Sequence, residues 1–179
     1  MKPTALAFSG GIASGKTAVS SAVAAELAWP RMAFGDYVEQ VAGELNLAQT
    51  RDVLQELGAA LIDEQGWEDF CRSALARTEW QPGESIVIDG VRHREVVETL
   101  RKLVAPSRLL LVLITTPMDV RRQRLVSRGE EGSDLTRAEA HSTEVQVVDR
   151  LPALADFKVD GSRPAEQVTL DVLSWLGRQ

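Results

Sequence analysis

Three stretches of the chain are apolar at nearly every position: Thr4 to Ser9, Ser85-Ile86-Val87-Ile88-Asp89, and Leu109 to Ile114. Short solid runs bounded by glycine or proline read as strands buried on both faces. Met32-Ala33-Phe34, closed by Gly35-Asp36, and Phe157-Lys158-Val159-Asp160 read as two shorter strands. Between them the apolar positions recur at helical spacing. Gly15 to Ala28 is rich in helix formers and is stopped by Pro30. From Asp36 to Glu79, the stripes Val53-Leu54-Leu57-Leu61 and Trp67-Phe70-Leu75 predict helix, with Trp67 and Trp80 as packing residues at helix ends. Arg94 to Lys102, a segment opened by Pro117, a stretch through the 140s and Pro164 to Leu176 continue the pattern. Strands alternating with helices predict an α/β fold whose parallel sheet is covered on both faces. No repeat or linker divides it, so residues 1–179 read as one domain.

Composition adds limits rather than detail. At 44% hydrophobic and 26% charged residues, the chain reads as an ordinary globular protein. Its net charge of −6 argues against coating duplex nucleic acid, because such affinity comes mainly from Lys and Arg on phosphates. Cys71 is the single cysteine, which excludes an internal disulfide, and it reads as a small buried hydrophobe. The opening apolar run is too short for a membrane span or signal peptide, so the expected location is cytoplasmic.

The first strand runs into Gly10-Gly11-Ile12-Ala13-Ser14-Gly15-Lys16-Thr17, a full P-loop pattern lying between a strand and a helix. Backbone N–H groups must converge on phosphates here, and side chains at the glycine positions would block the approach. Lys16 supplies a compact cation for the β- and γ-phosphates, and the Thr17 hydroxyl suits magnesium. The helix that follows points its positive end at the anion. The expected ligands are therefore ATP and Mg2+.

Asp89 ends an apolar strand, where a second acid could hold magnesium through water. It is followed by Gly90 and not by a glutamate, which disfavours a hydrolytic motor. Asn46 is the sole asparagine, so a guanine-reading Asn-Lys-x-Asp motif is absent. Beyond the strand, Arg92 can fork onto an acceptor phosphate or simply be solvated. His93 fits a structural or surface role better than a catalytic one. Arg121, Arg124 and Arg128, three and four residues apart, share one helix face, while Arg122 faces elsewhere. With the polar loop Gly129 to Asp134 they suggest a lid over about 121–140, though such a stripe can also be merely solvated.

These motifs resemble the nucleoside monophosphate kinase group of P-loop proteins, which includes adenylate kinases, dephospho-CoA kinases and viral deoxynucleoside monophosphate kinases. Gly10 to Thr17 is close to the dephospho-CoA kinase loop. Phe34-Gly35-Asp36-Tyr37-Val38 is similar to an acceptor-side segment carrying an acid after the second strand. Asp89-Gly90-Val91-Arg92 resembles the Gly-x-x-Arg element of adenylate kinases, shortened by one residue. Arg51 to Gly58 resembles a segment of deoxynucleoside monophosphate kinases. Arg124 and Arg128 match a lid spacing in which the first Arg packs on adenine and the second meets phosphates. The long adenylate kinase lid and the full dephospho-CoA kinase acceptor signature are absent.

The resemblance implies a three-layer P-loop fold with a five-stranded parallel sheet in the order 2-3-1-4-5, helices on both faces and a short lid. It implies an acceptor-side helical region over about 36–80 and a small nucleotide-like acceptor lined by Asp36, Arg51 and Arg92. Asp36 could orient an acceptor hydroxyl or cap the next helix. Lys16, Asp36, Arg92, Arg121 and Arg128 are the expected catalytic residues, Gly10 to Thr17 with Arg124 the expected ATP contacts, and Thr17 with Asp89 the expected metal contacts. Three activities fit: a nucleoside or deoxynucleoside monophosphate kinase, a dephospho-CoA kinase-like enzyme, or an ATP-binding switch with slow hydrolysis.

Overall fold

The computed structural model describes residues 2–129, 147 and 149–179. Strands β1 (Thr4–Ser9), β2 (Arg31–Ala33), β3 (Ile86–Asp89), β4 (Arg108–Thr115) and β5 (Phe157–Asp160) form one sheet in the order β2-β3-β1-β4-β5. Every pairing is parallel, with Phe8 of β1 opposite Asp89 of β3 and Val112 of β4. This is the expected order.

Helices α1 (Lys16–Leu27), α2 (Phe34–Glu44), α3 (Arg51–Leu75), α4 (Arg94–Leu103), α5 (Met118–Ser127) and α6 (Ala165–Leu176) surround the sheet. Because side chains alternate along a strand, each solid apolar run feeds two cores. Ala5, Ala7, Ile86, Ile88 and Leu111 join Tyr37 and Phe70 of α2 and α3, with Val97 and Leu100 of α4, on one side. Leu6, Phe8, Val87, Val112 and Ile114 join Val19 and Val23 of α1, with Val168 and Val172 of α6, on the other. Full burial of each such Leu, Ile, Val or Phe contributes about 1.5–3 kcal/mol, so the sheet's two faces are the fold's main source of stability.

Element ends follow local chemistry. At the end of α1, Ala28 takes a left-handed conformation (φ 51°) and the Trp29 N–H donates to the Ala24 carbonyl at 3.0 Å, before Pro30 prevents continuation. Phe34 belongs to α2 and not to β2, because Ala33 is the extended residue (φ −128°, ψ 131°) that caps the helix. The helical pattern from 36 to 79 resolves into two helices. Leu45 to Thr50 separates them, with Asn46 at φ 55°, and Gly66 (φ 76°, ψ 167°) breaks α3 just before Trp67. The lid expected over about 121–140 is described only as far as Gly129. The rest of it, and the helix of the 140s up to residue 146, lie outside the described residues.

Cys71 sits on α3 with no exposed surface, and burial pushes its thiol up to about 12. It is a packing residue, as its helical setting predicts.

Candidate functional site

The site lies beyond the carboxyl ends of β1 and β3, where open α/β sheets bind ligands. β1 ends at Ser9 and the chain turns through the P-loop into α1. Gly15 precedes α1 at φ 95°, a conformation that costs a side-chain-bearing residue but not glycine. Among the described residues no side chain caps α1, which leaves its first-turn N–H groups to face an anion. Lys16 is buried against this loop.

The outer side of the loop is held by backbone acceptors. Thr116 Oγ1 donates to the Ser14 carbonyl at 3.0 Å. Arg124 Nη1 donates to the carbonyls of Ser14 (3.0 Å) and Ala13 (3.3 Å), and its Nη2 to Gly161 (2.7 Å). Arg121 Nε donates to the Thr116 carbonyl at 3.1 Å and its Nη1 to Ile12 at 3.4 Å. Gly161 packs so tightly that a Cβ there would lie 2.6 Å from the Ser14 carbonyl. The turn is fixed by Asp160 Oδ1, which accepts the Ser162 N–H at 2.8 Å; that bond holds the Asp160 carboxyl below its usual range. Arg124, Arg128, Gly161 and Arg163 line a small cavity of about 260 Å³ against the start of α1.

On the inner side opens a cavity of about 640 Å³. Lys16 and Thr17 form one wall of it, with Asp89 at the end of β3. Asp36 on α2, Arg51 at the start of α3 and Arg92 after β3 line it from elsewhere in the chain, as does Arg128, the residue that follows α5. The apolar part includes Phe34 and Phe70, whose rings stack 5.4 Å apart, 6° from parallel. His93 also lines it, its ring 4.9 Å from that of Trp67.

Residues 7–146 match the family described as AAA domain. The chain belongs to that family. Among relatives of this AAA-domain chain, a UPF0200 protein of Aeropyrum pernix is 28% identical over 162 residues, spanning 88% of this chain and 84% of that one. A UPF0200 protein of Thermococcus onnurineus is 22% identical over 144 residues, or 77% of this chain and 78% of that one. Among solved structures, a gluconokinase from Sinorhizobium meliloti superposes with a TM-score of 0.63 at 20% identity, covering 98% of this chain and 93% of its own. A shikimate kinase from Aquifex aeolicus does so with a TM-score of 0.62 at 19% identity, covering 97% and 96%. The fold is thus that of small P-loop kinases, in keeping with the nucleoside monophosphate kinase-like resemblance.

Within this AAA-domain chain the expected residues do not all gather in one place. Lys16, Thr17, Asp36, Arg51, Asp89, Arg92 and Arg128 line one cavity. Arg124 lines the smaller cavity, and Arg121 lines neither, lying behind the loop instead. Capping is ruled out for Asp36: it stands in the first turn of α2, and no side chain caps that helix.

A residue the sequence reading passed over is Arg31, the first of β2. Its Nη2 donates to Asp89 Oδ2 at 2.7 Å, its Nη1 to Asp36 Oδ2 at 3.1 Å and its Nε to Ser20 Oγ at 3.4 Å. An arginine opening a short edge strand resembles any solvated strand end. The available signal was its register two residues ahead of Ala33, which pairs with Asp89.

The arrangement suits a hydrated divalent cation. Asp89 is buried, and although Oδ2 takes Arg31, Oδ1 has no hydrogen-bond partner among the described residues. An orphaned buried carboxylate oxygen that shares a cavity with a P-loop threonine matches the oxygen-rich chemistry magnesium requires.

Proposed function

We propose that the protein is an ATP-dependent small-molecule kinase whose acceptor is a nucleoside or deoxynucleoside monophosphate. One observation carries the reading: the P-loop residues Lys16 and Thr17 share a single cavity with Asp36, Arg51 and Arg92, so donor and acceptor chemistry face each other. At about 640 Å³ the space suits a drug-sized molecule.

In this reading the loop N–H groups and Lys16 hold the triphosphate, and Thr17 with Asp89 Oδ1 would hold a hydrated Mg2+ that would supply neutralisation of phosphate charge. Arg51 and Arg92 grip the acceptor phosphate and aim one of its oxygens at the donor, the apolar wall of Phe34 and Phe70 takes its base, and Asp36 orients the acceptor by accepting from a sugar hydroxyl. That phosphate oxygen bonds to the γ-phosphorus as the bond from the γ-phosphorus to the β–γ bridging oxygen breaks, and ADP leaves with the bridging oxygen. Arg128, which lines both cavities, meets the charge passing between them. The donor base occupies the smaller cavity beside Arg124. Such transfer depends on placement and charge, which this cavity supplies, more than on a strong base.

The test is a transfer assay with γ-labelled ATP across ribo- and deoxyribonucleoside monophosphates and dephospho-CoA. Label is expected on a monophosphate. Label on dephospho-CoA alone would favour the ribose-hydroxyl acceptor instead. ATP binding with slow hydrolysis and no labelled acceptor would favour a switch.

A further inference from the structure

Three groups on different elements meet at Arg31, and none of the P-loop machinery explains them. The side chain starts at the amino end of the edge strand β2 and passes beneath α1, where Ser20 accepts from Nε. Its guanidinium ends between two carboxylates of contrasting setting: the Asp89 side chain is 4% exposed and the Asp36 side chain 62%. A planar fork can hold two acceptors at fixed angles, which a lysine ammonium cannot. Asp36 faces solvent and the acceptor cavity at once, and among the described residues its carboxylate pairs with Arg31. Left alone, an aspartate so exposed samples several rotamers.

We propose that Arg31 is a positioning residue that ties the metal-side carboxylate Asp89 to the acceptor-side carboxylate Asp36, fixing Asp36 over the acceptor cavity while leaving Asp89 Oδ1 for the hydrated cation. The inference rests on the acceptor reading above and extends it to a residue outside the P-loop and the arginine stripe. One fork then aligns the two substrates' binding groups against each other. Arg31 itself acts through Asp36 and takes no part in the bond changes.

The experiment is a double-mutant cycle on the full chain, read by calorimetry. AMP, CMP, GMP, UMP and dTMP are each titrated in the presence of Mg2+ and a non-hydrolysable ATP analogue. Arg31→Lys keeps a cation for the buried Asp89 but loses the second arm of the fork. It is expected to weaken monophosphate binding about tenfold, as is Asp36→Asn. The double variant is expected to lose about the same tenfold, since Arg31 acts through Asp36. Analogue affinity, and Mn2+ affinity read by electron paramagnetic resonance in place of Mg2+, are expected to stay within about twofold of wild type in Arg31→Lys. Losses that multiply to about a hundredfold in the double variant overturn the proposal. So does a parallel loss of Mn2+ and monophosphate, which would make Arg31 a metal-side support only. Should Arg31→Lys not fold, Asp36→Glu moves the exposed carboxylate by one methylene and leaves the buried pair alone. A tenfold loss is expected there, and wild-type affinity would overturn the proposal. If wild type binds the analogue but none of the five monophosphates, the acceptor reading falls first. Multiplicative losses on top of intact wild-type binding defeat only the role of Arg31.

Discussion

The two walls of the cavity are built in opposite ways. The donor wall is backbone: a loop whose carbonyls are held from outside by Arg121, Arg124 and Thr116, with Gly161 pressed against it. The wall we propose for the acceptor is side chains, with Asp36, Arg51 and Arg92 coming from α2, α3 and the turn after β3. A backbone cradle reads only what every nucleoside triphosphate shares. A side-chain wall can be rebuilt for a new acceptor without disturbing the cradle. One expects the donor side to be stiff and general and the acceptor side to be adaptable and specific.

The sharpest way to break this contrast is Lys16→Ala. Removing the fixed cation at the phosphates is expected to lower turnover at least about a hundredfold, measured as initial rates of transfer. Wild-type turnover in that variant would remove the P-loop from the chemistry. Arg92→Ala comes next and separates the walls. Loss of a charge-assisted contact is expected to raise the acceptor KM about ten- to a hundredfold, with ATP affinity close to wild type when titrated alone. Equal losses for both ligands would show that the walls are not independent.

The smallest effect concerns the Glu44–Arg77 pair, which joins the end of α2 to the chain after α3 at 2.6 Å. The hydrogen bond from Arg77 holds the Glu44 carboxyl below its usual range. A lowered folded-state value means the pair's stabilisation is complete above the ordinary glutamate range and fades as pH falls through the lowered value. Both groups are exposed and screened, so the contribution is slight. Glu44→Gln is expected to leave stability at neutral pH nearly unchanged and to flatten its fall below about pH 4.3, followed by urea unfolding. A clear loss at neutral pH would show that the α2–α3 side depends on this exposed pair.

The same contrast decides what could be read from the sequence. The donor wall is contiguous, and Gly10 to Thr17 announces itself because one short segment carries both the turn and its ligands. The solid strands gave away the parallel sheet for a similar local reason. The acceptor wall is assembled across the chain, so Asp36, Arg51 and Arg92 were legible mainly through resemblance. Arg31 was not legible, because its meaning depends on where β3 lies beside it. Arg121 and Arg124 share a helix face as their spacing predicts, yet that face turns to loop carbonyls. Spacing defines a face but not what the face meets. Apolar spacing continues across Leu45 and Leu47, which are exposed, so spacing does not mark the break between α2 and α3.

Cys71 has one more consequence. It is the chain's single thiol, and it lies on the buried face of α3, the helix that also bears Arg51 and Phe70. A thiol-reactive dye can reach it only when α3 lifts away from the sheet, so the labelling rate of the native protein times that opening. With no residue added, the molecule carries its own clock for the side of the cavity on which its specificity is built. An acceptor that binds against α3 slows that clock, while one bound solely at the phosphate loop leaves its rate unchanged.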